Sequence, residues 1–160
     1  MKLAYTLTLL SFAALVAGCA GPRSLVPGQS TETDVRARMG APRDTRVDAN
    51  GDLVWEYPTG PEGVNTYFVR LGPDRKLKDV TQVLTEEQLE KVVVGKSSKA
   101  DVRQLLGRPA EETVYYVGPT WYWRFLKGGV QPGYLVVAFD QNGTVSSKIA
   151  IIDIPGNKSD

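Results

Sequence analysis

The spacing of apolar residues changes along the chain, and each change marks an element. Val35 and Met39 lie one helical turn apart, and Val102, Leu105 and Leu106 share a face at the same spacing. A period near 3.6 predicts one helix in each place. Ser30-Thr31 and Ser97-Ser98 precede these helices, and Asp34 and Asp101 follow three residues on, so a reciprocal cap is available at each start. Gly40 and Gly107 stand where a left-handed residue ends a helix, and Pro42 and Pro109 stop its continuation. Residues 85–92 read as another capped helix, giving the second copy a helical hairpin; the first has only residues 20–27 in that place. Residues 113–117, 121–126, 134–140 and 145–152 alternate with period two, and Asn142-Gly143 is a strong hairpin signal.

These elements occur twice. Gly28, Ser30, Asp34, Val35, Arg36, Gly40 and Pro42 recur 67 positions later as Gly95, Ser97, Asp101, Val102, Arg103, Gly107 and Pro109. After one extra residue, Val54-Trp55-Glu56-Tyr57 lies over Tyr122-Trp123-Arg124-Phe125, and residues 67–71 lie over 135–139. The expected fold is α+β: two tandem modules, residues 28–84 and 85–154, each a helix or helical hairpin packed on a three- to four-stranded antiparallel sheet, with a tail at 155–160. Units of this size are marginal alone, so the modules should pack on each other or on a partner. Helices cover one face of each sheet, and the other is expected to be free.

Residues 1–18 have the layout of a secretory signal: Lys2, an apolar stretch, then small residues before Cys19. Leu15-Val16-Ala17-Gly18-Cys19 resembles the bacterial lipobox, in which the cysteine sulfur receives a diacylglyceryl group before cleavage. That resemblance implies lipidation at Cys19, several acyl chains for stable anchoring, and residues 19–27 as the anchored linker. Ala20 rather than aspartate follows Cys19, which implies sorting to the periplasmic face of the outer membrane.

Charge and composition narrow the chemistry. Removal of residues 1–18 takes Lys2 with it and leaves 18 basic against 18 acidic side chains. A neutral body lacks the basic footprint of a nucleic-acid binder, so the second hairpin reads as packing helices. The 160 residues contain no histidine and one cysteine, which excludes imidazole bases, Cys-His pairs and the usual zinc sets. No catalytic residue, metal or cofactor is therefore expected. Gly95-Lys96-Ser97 looks like the end of a phosphate loop, but Glu90 stands where its first glycine is needed. Asp34 and Asp101 sit in first helical turns, where capping accounts for them.

The pattern Gly-x-Ser/Thr-x-x-x-Asp-Val-x-x-x-Leu/Met-Gly-x-Pro, with Trp-x-Tyr/Phe further on, resembles the SmpA/OmlA (BamE) family of outer-membrane lipoproteins. Gly28, Asp34, Val35, Gly40, Pro42, Trp55 and Tyr57 carry it in one module, and Gly95, Asp101, Val102, Gly107, Pro109, Trp123 and Phe125 in the other. The resemblance implies a non-catalytic binding module and a protein partner in the outer membrane or periplasm, with the barrel-assembly machine as the family's own partner. Tandem copies also resemble the β-lactamase-inhibitor-protein fold, which implies an alternative: inhibition or regulation of a periplasmic enzyme through an open sheet face.

Alternation assigns Trp121, Trp123 and Phe125 to the helix-covered face. Tyr116, Tyr122, Arg124 and Tyr134 are then expected on the open face as partner-binding residues, since tyrosine and arginine are favoured at binding hot spots. The same residues could instead pack the two modules together.

Overall fold

Helix caps and hairpin turns fix the local structure of each repeat in the computed structural model, which describes residues 22–116 and 118–152. The order is α1 (Glu32–Met39), β1 (Asp44–Val47), β2 (Leu53–Thr59), β3 (Asn65–Leu71), β4 (Leu77–Gln82), α2 (Glu86–Glu90), α3 (Lys99–Leu106), β5 (Glu111–Tyr115), β6 (Gly118–Lys127), β7 (Gln131–Phe139) and β8 (Val145–Ile152). Short 3-10 turns lie at Pro22–Ser24 and Pro61–Gly63. The fold is α+β, with two four-stranded antiparallel sheets ordered β1-β2-β3-β4 and β5-β6-β7-β8. Cys19, the leader and the tail at 155–160 lie outside the described residues.

Thr31 and Ser98 are the helix caps, each exchanging hydrogen bonds with Asp34 or Asp101 in a complete capping box. Ser30 and Ser97 have a different task. Their hydroxyls accept the N–H of Val26 and Val93 at 2.9 Å, closing the turn that leads into each helix. Gly40 and Gly107 do take positive φ, 78° in both, but with ψ of −157° and −165° they are extended rather than left-handed helical. This region is essentially reserved for glycine, and it turns the chain out of the helix towards β1 or β5.

Strand register corrects the alignment of the repeats. Asp44, Glu56, Phe68 and Thr81 lie side by side across sheet 1, as do Glu111, Tyr122, Val136 and Ile149 across sheet 2. Glu56 therefore corresponds to Tyr122, Trp55 to Trp121 and Tyr57 to Trp123, two residues from the pairing expected from sequence. The bonds from Arg43 N–H to the Glu56 carbonyl and from Ala110 N–H to the Tyr122 carbonyl fix the same match. A slip of two keeps every side chain on its face. It does change partners: the Tyr57 hydroxyl donates to the Gly40 carbonyl at 3.0 Å, whereas the buried Trp123 Nε1 has no hydrogen-bond partner among the described residues.

The two modules stack. Val35 of α1 packs on Trp55, Tyr57, Val69, Leu71 and Leu77, one face of sheet 1, and Leu25 joins them from the segment expected to be linker. The opposite face supplies Val54 and Phe68 to a second core, with Leu89, Val102 and Leu106 of the hairpin and Trp121, Trp123 and Leu135 of sheet 2. The layers thus run α1, sheet 1, α2 with α3, sheet 2. The expectation of a free second face fails for sheet 1, because that face carries apolar side chains and the hairpin covers them. Removing Phe68 from water contributes roughly 2–3 kcal/mol towards stacking.

Candidate protein-binding face

Covering one side of each sheet in this order leaves the outer side of sheet 2 without a helix among the described residues. Its floor follows from alternation: with Trp121, Trp123, Phe125, Leu135 and Val137 buried, Tyr122, Arg124, Tyr134 and Val136 point the other way. Register adds Ile149 beside Val136 and Ile151 beside Tyr134. Ile149 and Ile151 keep 56% and 51% of their surface exposed, although isoleucine is among the residues most often buried.

The four expected binding residues do not behave alike. Tyr122 donates its hydroxyl to that of Tyr115 at 3.1 Å, a bond that, with desolvation, pushes the Tyr122 hydroxyl above its usual 10. Arg124 lies 4.1 Å over the Tyr134 ring and pairs at 2.9 Å with Glu62, in the β2–β3 connection of the first module. Arg124 thus ties the modules together while shielding one side of Tyr134. Tyr116 is fully exposed in the turn after β5. Tyr115 is the residue in phase with Glu111, and so with Tyr122 across the register.

Sequence reasoning missed Tyr115, Val136, Ile149 and Ile151. A signal was present: Ile149-Ala150-Ile151-Ile152 is apolar at both parities, the mark of a strand with two apolar faces.

A polar seam joins sheet 1 to α3 and the turn after it. Glu56, only 1% exposed, accepts the Arg108 N–H at 3.0 and 3.1 Å from its two oxygens. Burial pushes its carboxyl above the usual 4.5, against the Arg108 N–H and the charges of Arg43 and Arg46. Arg43 donates to the Pro109 carbonyl at 3.1 Å, Arg46 reaches the Gln104 carbonyl at 3.4 Å, and Arg103 pairs with Asp44 at 3.3 Å. On the far side of the hairpin, Lys148 of β8 donates to the carbonyls of Leu89 and Val92 at 3.0 and 2.8 Å. Val80 holds the corresponding place in sheet 1, packed against the core that Leu25 joins.

Helices fill the space between the sheets, leaving a cavity of about 230 Å³ beside α2, lined by Leu89, Phe125, Leu135, Lys148 and Ile152 among others. Among the described residues, no three His, Cys, Asp or Glu side chains converge as a metal-holding group.

The stacked helix-on-sheet modules thus end in a sheet face of aromatic and aliphatic side chains. Residues 81–149, which take in the hairpin and most of sheet 2, match the family model described as the outer membrane protein assembly factor BamE domain. The resemblance read from the sequence therefore holds for the second module. No curated protein matches the chain. Among solved structures, the crystal structure of a DUF4309 family protein (YjgB) from Bacillus subtilis subsp. subtilis str. 168 shows a distant likeness, 16% identical over 82% of this chain and 84% of that one, with a TM-score of 0.30.

Proposed function

We propose that the protein is a lipoprotein anchored through Cys19 on the periplasmic face of the outer membrane, and that it acts without chemistry of its own as a protein-binding accessory in outer-membrane protein assembly. The observation that carries this reading is the outer face of sheet 2, where Tyr122, Tyr134, Val136, Ile149 and Ile151 form a continuous surface. A run of this kind on one face marks a protein contact when it is exposed. The match of residues 81–149 to an assembly-factor domain supports the choice of partner, and the lipobox-like residues support the anchor. In this reading residues 28–84 and 85–154 are the two binding modules, Tyr122 and Tyr134 are direct contacts, and Arg124 positions Tyr134.

The test is purification of the tagged, lipidated protein from envelope membranes, with and without Cys19→Ala. Barrel-assembly subunits should co-purify with the natural protein and be lost with the variant. Recovery of a soluble periplasmic enzyme in a one-to-one pair overturns the assembly reading, and normal processing and fractionation of Cys19→Ala overturns the anchor.

A further inference from the structure

The chain already contains one covered example of the face that sheet 2 leaves open. The row Asp44–Glu56–Phe68–Thr81 in sheet 1 is matched by Glu111–Tyr122–Val136–Ile149 in sheet 2. The first row lies under α3 and the turn that follows it. Phe68 shares a core with Val102 and Leu106, the Arg108 N–H meets Glu56, and the Arg103 guanidinium meets Asp44.

The second row keeps two features of the first and strengthens one. Val136 takes the place of Phe68, and an acid, Glu111, takes the place of Asp44. Ile149 replaces Thr81 and Tyr122 replaces the buried carboxylate of Glu56, so the row as a whole is more apolar. Glu111 is exposed, and the contact it makes is with the Thr113 hydroxyl, 3.0 Å away on the same strand. Among the described residues, no cation pairs with it as Arg103 pairs with Asp44.

From this we infer that the outer face of sheet 2 receives an amphipathic helix of a protein partner, lying as α3 lies on sheet 1, its apolar side on Val136 and Ile149 and a lysine or arginine against Glu111. The inference rests on the protein-binding reading above and specifies the partner's shape and charge. A second copy of the chain is a poor occupant. The helix it would present is α1, whose outward side carries Thr33, Asp34, Arg36 and Arg38. Arg38 stands where α3 has Leu105, and among the described residues only the 3-10 turn Pro22–Ser24 lies where the second module has α2.

The experiment uses the full-length lipidated chain in envelope membranes, with a photoreactive benzophenone side chain placed in turn at positions 122, 136 and 149, and the attachment sites mapped by mass spectrometry. The expected result is attachment to one partner segment at intervals of three or four residues. Glu111→Lys should lower the yield about fivefold, as for loss of an exposed ion pair, and reversing the charge of the facing partner residue should restore it. Melting of each labelled chain near the natural temperature establishes that the sheet is intact. Attachment at every second residue, or to an irregular loop, overturns the helix and leaves the protein-binding reading standing. Attachment to a second copy overturns the choice of occupant. Attachment to lipid alone, or none at any of the three positions, overturns both.

Discussion

Glu56 and Arg108 meet across the module boundary: the carboxylate on β2 accepts, on both oxygens, the backbone N–H that follows the end of α3. A carboxylate is unusual in so dry a place, because ionising it there is costly unless its oxygens are satisfied. It also explains why one of two equivalent glycines is constrained more than the other.

A Cβ added at Gly107 would stand 2.7 Å from a Glu56 oxygen, whereas one at Gly40 meets nothing within 4 Å. Both residues have φ of 78°. Gly40→Ala should therefore cost roughly 1–3 kcal/mol for the backbone alone, and Gly107→Ala should cost more. Urea unfolding compares them, and equal losses would mean that Glu56 yields without cost.

The same carboxyl gives stability a distinctive dependence on pH. Its folded pKa is raised above 4.5, so its contribution is whole below pH 4.5 and is lost as pH rises through the raised value. Asp34 and Asp101 act in the opposite sense. Hydrogen bonds from Thr31 and Ser98 hold them below 3.8, so their contribution is present above that pH and lost as pH falls through the lowered values. Urea midpoints measured across pH should lose the first slope in Glu56→Gln and the second in Asp34→Asn with Asp101→Asn.

Lys148 gives α2 an end it cannot provide for itself. Lys148→Met keeps the stem but removes two bonds to the Leu89 and Val92 carbonyls, at a cost of about 2–3 kcal/mol. Hydrogen exchange at the amides of Leu89, Lys91 and Val92 should accelerate well beyond exchange in sheet 1. Uniform acceleration through the chain would assign Lys148 to global rather than local stability.

Arg124 and Tyr122 should separate cleanly. A double-mutant cycle of Arg124→Ala with Glu62→Ala should give a coupling of about 0.5–1 kcal/mol, since the pair bridges the modules at 2.9 Å. Tyr122→Ala should leave the melting temperature nearly unchanged and weaken partner capture. A large loss of stability with Tyr122→Ala would make that side chain structural.

What was legible in the sequence was local or periodic. Thr31, Ser98 and the two aspartates define their helices within four residues, and alternation placed Trp121, Trp123 and Phe125 inward without any knowledge of the fold. The two-residue slip between β2 and β6 was not legible, because a strand's side chains repeat every two residues and both alignments bury the same faces. Residues 113–117 read as one strand, whereas β5 ends at Tyr115 and Tyr116 lies in the turn after it, because a strand's end depends on the turn and not on its period. The seam depended on contacts such as Arg43 with Pro109 and Arg103 with Asp44, separated by 66 and 59 residues. No single repeat contains them, so they could not be read from the repeat pattern.

Interleaving the layers also sets an order of completion. The first module leaves the ribosome first, yet Val54 and Phe68 must wait for Val102 and Leu106 before they are dry. A chain stopped after β4 would leave Val54 and Phe68 bare and the Glu56 carboxylate without its Arg108 partner, a ready substrate for holding chaperones and envelope proteases. The half that is made first is finished last, and a nonsense mutation between β4 and the end of α3 should clear the whole protein from the cell.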